Sequence, residues 1–188
     1  MTRLILLDRD GVINFDSPHY IKNADEWLPI PGSLSAIAKL KAAGFLVAIC
    51  TNQAGIGRGI FSEAALAGIH AKLEQMLARH GTTLDGLVHC PHHPDECCGC
   101  RKPRPGMLLS MMQRLQVNPA QALFVGDSVR DLEAAQAAGC AAALVRTGKG
   151  ADAEPTARAM GVTCIADDLA DLAAMLLCRS PDVPGDQP

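Results

Sequence analysis

Short apolar runs that stop at polar clusters recur along the chain, and segments of helical spacing separate them. Leu4-Ile5-Leu6-Leu7 suits a strand buried on both faces and stops at Asp8-Arg9-Asp10-Gly11. Pro31-Gly32-Ser33 opens a helix over Leu34, Ile37, Ala38 and Leu40, which Gly44 ends. Phe45 to Cys50 reads as a second buried strand, ending in Thr51-Asn52-Gln53. Ser62 is placed to N-cap a helix with Leu66, Ile69, Leu73, Met76 and Leu77 on one face, closed by Gly81. Leu84 to His89 predicts a short strand, Met107 to Leu115 a helix, and Ala122 to Val125 a buried strand ending in Gly126-Asp127-Ser128. A helix from Ser128 to Gly139 and a strand from Ala141 to Val145 follow. A short helix from Pro155 to Met160, a strand from Thr163 to Ile165 and a helix from Asp168 to Leu177 complete the pattern.

This alternation predicts an α/β fold, a doubly wound, Rossmann-like parallel sheet with helices on both faces. Residues 1–178 are read as one domain, and 179–188, rich in Pro and Asp, as a disordered tail. No large insertion follows Gly11 or Asn52, so no cap domain is expected and only loops would roof a site.

Composition narrows the class. The chain has 188 residues, 48% of them hydrophobic, which suits one domain with a substantial core. Its formal net charge of -3 argues against a nucleic-acid partner. No apolar stretch is long enough to span a bilayer, and no signal-peptide pattern opens the chain. A cytoplasmic monomer is the expectation. Eight cysteines are many, and in a reducing compartment they suit buried thiols or metal ligands better than disulfides.

The strand ends carry the candidate chemistry. Asp8 and Asp10 are like charges that call for a compensating cation, and Mg²⁺ suits carboxylate oxygens. Thr51 and Asn52 end a second strand, Asp127 a third, and Arg101-Lys102-Pro103 lies nearby in sequence after a cysteine-rich loop. Together they supply what phosphoryl transfer needs: a nucleophile, a proton donor, a metal and cationic groups. Gly55, Gly57 and Gly59 flank Arg58 but lack the Lys and hydroxyl of a P-loop, so they read as a plain connection or as a loop bringing Arg58 to the site. Thr147-Gly148-Lys149-Gly150 likewise lacks the full motif and reads as a loop.

In Cys90-Pro91-His92-His93-Pro94-Asp95-Glu96-Cys97-Cys98-Gly99-Cys100, Cys-x-His and Cys-x-Cys give four ligands that suit a tetrahedral structural Zn²⁺. The set is Cys90, His92, Cys98 and Cys100, with Cys97 a rival for Cys98 and His93 for His92. Cys50, Cys140, Cys164 and Cys178 read as small hydrophobes.

Asp8-Arg9-Asp10-Gly11, Thr51-Asn52, Lys102 and Gly126-Asp127-Ser128-Val129-Arg130-Asp131 resemble, in order, the four motifs of the haloacid-dehalogenase-like phosphohydrolases. The resemblance implies that Asp8 attacks phosphorus and forms an aspartyl-phosphate. It implies that Asp10 is the acid and then the base. Mg²⁺ would be held by Asp8, the Asp10 carbonyl and Asp127. Thr51 would donate to a phosphoryl oxygen, and Lys102 would offset charge. Asp131 either orients Lys102 or is a helix-surface carboxylate.

The cysteine loop, running into Arg101-Lys102-Pro103, resembles the zinc loops of the heptose-bisphosphate and histidinol-phosphate phosphatases. The implied substrate is a small phosphorylated sugar, a heptose bisphosphate before histidinol phosphate. Asp16, Ser17, His19, Asn52, Gln53, Arg101 and Ser128 are the candidate substrate contacts. A phospho-receiver domain, a different class, would need an Asp where the second strand has Thr51-Asn52. A zinc-dependent interaction module ranks last, because every catalytic residue type is present.

Overall fold

The computed structural model describes residues 2–178, so the expectation of a disordered tail at 179–188 falls outside the described residues. Six strands form one parallel sheet: β1 (Leu4–Leu7), β2 (Leu46–Asn52), β3 (Gly86–Cys90), β4 (Ala122–Gly126), β5 (Ala141–Val145) and β6 (Cys164–Ala166). Their spatial order is β3-β2-β1-β4-β5-β6, and every pair is parallel. Six α-helices connect or follow them: α1 (Ser33–Ala42), α2 (Glu63–Arg79), α3 (Gly106–Arg114), α4 (Val129–Ala138), α5 (Gly150–Ala159) and α6 (Leu169–Cys178). The expected doubly wound architecture is therefore the observed one.

Strand alternation sorts the core into two layers. Ile5, Leu7, Val47 and Ile49 face α1, α2 and α6, where Ile37, Leu73 and Leu172 are fully buried. Leu4, Leu6, Ala48 and Cys50 face α3 and α4 and pack with Met107, Met111 and Ala135. Because both faces are covered, β1 is buried at every position and needs no polar alternation. Helix ends follow local chemistry. The Ser62 side chain accepts from the Ala65 N–H at 3.1 Å, and Gly139 ends α4 in the left-handed region at φ 73°.

Two boundaries differ from the sequence reading. β2 starts at Leu46 and continues past Cys50 through Thr51 and Asn52, so these two residues are part of the strand itself. α5 begins at Gly150, with Pro155 inside it rather than at its start. There Ala153 and Ala157, one turn apart, pack on Leu132 and Leu144. That packing offsets the hydrogen bond that proline cannot make, and alanines give too weak an apolar signal to mark the face in advance.

The order in which strands are added to the sheet reverses at β1, which lies between β2 and β4. In such sheets the crevice beyond the carboxyl ends of the central strands is where ligands bind. Between β1 and α1 no helix or extended strand is inserted among the described residues. The buried Trp27 fixes this long loop, and Lys72 of α2 donates to the Ala24 and Trp27 carbonyls at 2.7 and 2.9 Å.

Candidate active site

A cavity of 340 Å³ opens at that crevice and is lined in part by Asp8, Asp10, Asp127, Arg58, Arg101 and Lys102. Asp8 follows β1 and Asp127 follows β4, at the strand-order reversal. The Lys102 ammonium lies 2.8 Å from Asp8 Oδ2 and 2.7 Å from Asp131 Oδ1. Lys102 is 2% exposed and Asp131 1%, so the pair is shielded from water. Asp131 is thus no surface carboxylate. Its Oδ2 also accepts from Ser128 Oγ at 2.6 Å and from Ser128 N at 3.1 Å.

Burial pushes the Asp8 carboxyl up to about 7; the Asp131 and Asp127 carboxylates add to this and Lys102 opposes it. Burial alone would lower Lys102, but Asp131 and Asp8 outweigh it and raise the ammonium above its ordinary range. Asp127 is raised to about 6, again by burial, although the Lys149 N–H donates to its Oδ2 at 2.9 Å. Asp10 goes the other way. Burial would raise it, but Arg9 foremost, with Asn14 and Gln53, holds it below the usual carboxylate range.

The backbone comes very close to Asp127. A Cβ at Gly11 or at Gly148 would stand 2.1 Å from Asp127 Oδ2, and both residues have positive φ. Thr147 Oγ1 donates to the Gly11 carbonyl at 2.6 Å, joining the two turns. The Thr147-Gly148-Lys149-Gly150 stretch is therefore part of this centre, although it binds through no nucleotide motif. The donor set fits Mg²⁺: oxygens of Asp8, Asp127 and Asp131 lie within 4.8 Å of one another. Both Asp131 oxygens are committed, to Lys102 and to Ser128, whereas Asp127 has one oxygen in a hydrogen bond, to the Lys149 N–H, and Asp8 shares Lys102 through Oδ2, so Asp8 and Asp127 are the carboxylates better placed for the ion.

The other expected site residues fall in three groups. Thr51, Asn52, Gln53 and Ser128 are engaged with neighbours. Gln53 Nε2 donates to Asp10 Oδ2 and to Thr51 Oγ1, both at 2.9 Å. Asn52 brackets the Lys102 backbone, accepting from its N–H and donating to its carbonyl, both at 3.1 Å. Asp16, Ser17 and Arg101 line the cavity. His19 does not: it is exposed and is absent from the cavity lining. Arg130 and Lys149 also line the cavity and were not singled out from sequence. Lys149 sits in an incomplete nucleotide motif, and Arg130 lies inside the last family motif without a role of its own.

The cysteine loop forms a second cluster. Cys90 Sγ lies 3.5 Å from His92 Nδ1 and from Cys98 Sγ. Cys100 Sγ lies 3.3 Å from Cys90 Sγ and His92 Nδ1, and 3.4 Å from Cys98 Sγ. These edges approach the roughly 3.5–3.8 Å of a tetrahedron with metal–ligand bonds of about 2.0 Å to nitrogen and 2.3 Å to sulfur. The rivals point elsewhere. His93 Nδ1 caps a short 3₁₀ turn by accepting from Asp95 N at 3.2 Å, and Cys97 is exposed. Gly57 packs on this loop with no room for a Cβ, which would stand 2.4 Å from His93 N. That contact sets the glycine loop against the cysteine loop and leaves Arg58 lining the cavity.

A buried carboxylate–lysine–carboxylate chain at the switch point of a 3-2-1-4-5-6 parallel sheet defines a doubly wound hydrolase, and the chain belongs to the haloacid-dehalogenase-like hydrolase family. The HAD-hydrolase-like family model matches residues 99–172. The chain is 50% identical over 174 residues to a D-glycero-beta-D-manno-heptose-1,7-bisphosphate 7-phosphatase of Pseudomonas aeruginosa, covering 93% of this chain and 97% of that one. It is 51% identical over 178 residues to the protein of that name from Pseudomonas putida, with 93% and 99% covered. The crystal structure of the D,D-heptose 1,7-bisphosphate phosphatase of Bordetella bronchiseptica, complexed with magnesium and phosphate, aligns with a TM-score of 0.91 at 46% identity. That alignment covers 95% of this chain and all of the other.

Proposed function

We propose that the protein is a Mg²⁺-dependent phosphatase that removes the 7-phosphate of D-glycero-D-manno-heptose 1,7-bisphosphate, supplying the heptose precursor of lipopolysaccharide. The observation that carries the substrate reading is the cationic wall of the cavity. Arg58, Arg101 and Arg130 line it and make no ion pair among the described residues. The buried Arg101 Nη1 has no hydrogen-bond partner. With one phosphoryl group at Asp8, these donors suit a second phosphate. Guanidinium groups bind such oxygens through several directed N–H bonds.

Histidinol phosphate is the weaker reading. Its ammonium would need a free carboxylate, and the nearest candidate at the mouth, Asp16, is paired with Lys149 at 2.7 Å. The names of the relatives support the bisphosphate reading.

In the reaction we infer, Asp8 attacks phosphorus while the bond from phosphorus to the sugar oxygen breaks. The bonding pair stays on that oxygen, which takes a proton from Asp10. Asp10 then takes a proton from the water that hydrolyses the aspartyl-phosphate. Thr51 accepts from Gln53 and keeps its own hydroxyl proton to donate to a phosphoryl oxygen. Lys102 offsets charge at Asp8, and Asp131 and Asn52 fix its head and backbone. Asp8, Asp127 and the Asp10 carbonyl would hold Mg²⁺, which when bound screens the carboxylates and the phosphoryl oxygens. Cys90, His92, Cys98 and Cys100 would hold a structural Zn²⁺ with no open position. No helix among the described residues is long and apolar enough to cross a membrane; a cytoplasmic monomer acting on a small molecule is our reading.

The test is kcat/KM on heptose bisphosphate against histidinol phosphate. The bisphosphate is expected to be strongly preferred and to release one phosphate. Arg101→Ala should lower kcat/KM for the bisphosphate more than for 4-nitrophenyl phosphate. A preference for histidinol phosphate would refute the substrate reading.

A further inference from the structure

Behind Asp10 a polar chain runs away from the cavity into the α2–β3 side of the molecule. Arg9 is 1% exposed, whereas Asp10 lines the cavity, so the guanidinium approaches from the interior. Its Nη2 donates to both Asp10 oxygens at 2.9 and 3.0 Å, and its Nε to Oδ1 at 3.1 Å. On its far side Arg9 Nη1 meets His70 Nε2 at 3.4 Å. A guanidinium has no acceptor, so His70 Nε2 must accept and the ring is neutral, with its proton on Nδ1. Burial, and after it the Arg9 guanidinium, lowers the His70 imidazole to about 4, in agreement with a neutral ring. The His89 ring stands 5.9 Å from His70, and His89 Nε2 meets Glu63 Oε2 at 3.1 Å.

We propose that Arg9 is a positioning residue for the Asp10 carboxyl, and that neutral His70 fixes the Arg9 fork in turn. The proposal rests on the reading of Asp10 as the acid and base. Two donor nitrogens of one planar group, making three contacts to the two oxygens, leave Asp10 a single orientation, and Asn14 and Gln53 complete it at 2.8 and 2.9 Å. A lysine would keep the charge but not the fork. Orientation of the acid matters most when the departing oxygen is a strong base. A primary alkoxide needs its proton as the bond to phosphorus breaks, whereas 4-nitrophenolate leaves unaided.

The test compares kcat/KM, which reports steps through departure of the leaving group, for a primary sugar phosphate and for 4-nitrophenyl phosphate. Arg9→Lys is expected to lose at least about tenfold on the alkyl ester, part of the roughly 10²–10⁴ that general acid catalysis supplies, with little change on the aryl ester. Equal losses on both esters, or none, would overturn the role of Arg9. His70→Leu guards against an Arg9 variant that does not fold. It should lose about threefold to tenfold on the alkyl ester alone, the effect of one net hydrogen bond, and equal losses there would overturn the proposal too. Asp10→Asn separates the two layers of the argument. If it fails to discriminate between the esters, the acid reading itself is wrong. If it discriminates and both Arg9→Lys and His70→Leu do not, only the positioning proposal fails.

Discussion

The carboxylate centre draws Asp8, Lys102, Asp127 and Asp131 from 124 positions of chain, whereas the thiol cluster takes its four side chains from the 11 positions between Cys90 and Cys100. The first is assembled by the sheet: each group stands at or just beyond a strand end, or is delivered to one. Its charges are buried and pair with each other, so the fold must pre-exist to hold them. The second contains no strand or α-helix of its own after Cys90. Three thiols and an imidazole close together have no mutual charge pairing to hold them, and a metal would supply the missing cohesion. The two regions meet at Arg101-Lys102, where the chain leaves the last thiol and enters the catalytic centre one peptide later. A loop without regular structure can present the buried Lys102 accurately when it is pinned at both sides, by the thiol cluster and by Asn52.

Variants can pull the two regions apart. The largest effect is expected from Asp8→Asn, which should abolish turnover while leaving zinc content unchanged, since an amide is a poor nucleophile. Measurable phosphate release would sink the nucleophile assignment. Lys102→Met comes next. It leaves Asp8 and Asp131 without their shared cation, and denaturant melts at pH 8 should show a loss of about 3–5 kcal/mol together with loss of activity. Cys98→Ser and Cys100→Ser should follow, losing zinc and at least the roughly 10–100-fold in activity that weaker perturbations of metal sites cost. Cys97→Ser should keep both, and zinc loss in that variant would mean the wrong thiol is assigned.

The smallest effect is a pH dependence. With folded values of about 7 for Asp8 and about 6 for Asp127, against 3.8 unfolded, the folded metal-free protein binds more protons than the unfolded chain between about pH 4 and 7. These two groups therefore make it less stable as pH rises through that window. Mg²⁺ relieves the repulsion only where the protons have left. The rise in Tm on adding Mg²⁺ should thus be larger at pH 8 than at pH 5, and the reverse order would contradict a carboxylate-held cation.

How far the sequence carried each region follows from the same comparison. β1 and β4 were legible because a strand buried on both faces reads as an unbroken apolar run, and their terminal aspartates then fell at the switch point. The cluster of Cys90, His92, Cys98 and Cys100 was legible because its members lie in one loop. Direction within the site was not. A strand-end position does not reveal that Gln53 turns to Asp10, or that Asn52 turns to the Lys102 backbone. His19 sat among plausible sugar contacts, yet it is exposed and does not line the cavity. Lys149 reaches Asp127 through its backbone N–H, a contact that no side-chain motif announces. The start of α5 was hidden because proline normally favours the first turn of a helix.

The claim that the two regions hold different metals for different work is tested most directly by metal analysis during reactivation. Protein purified without chelator should contain about one zinc per chain, the number of closed tetrahedral sites. Mild EDTA treatment should abolish phosphate release while that zinc stays bound, and Mg²⁺ alone should restore full activity. Absence of zinc from the purified protein, or reactivation by Zn²⁺ and not by Mg²⁺, would contradict the account.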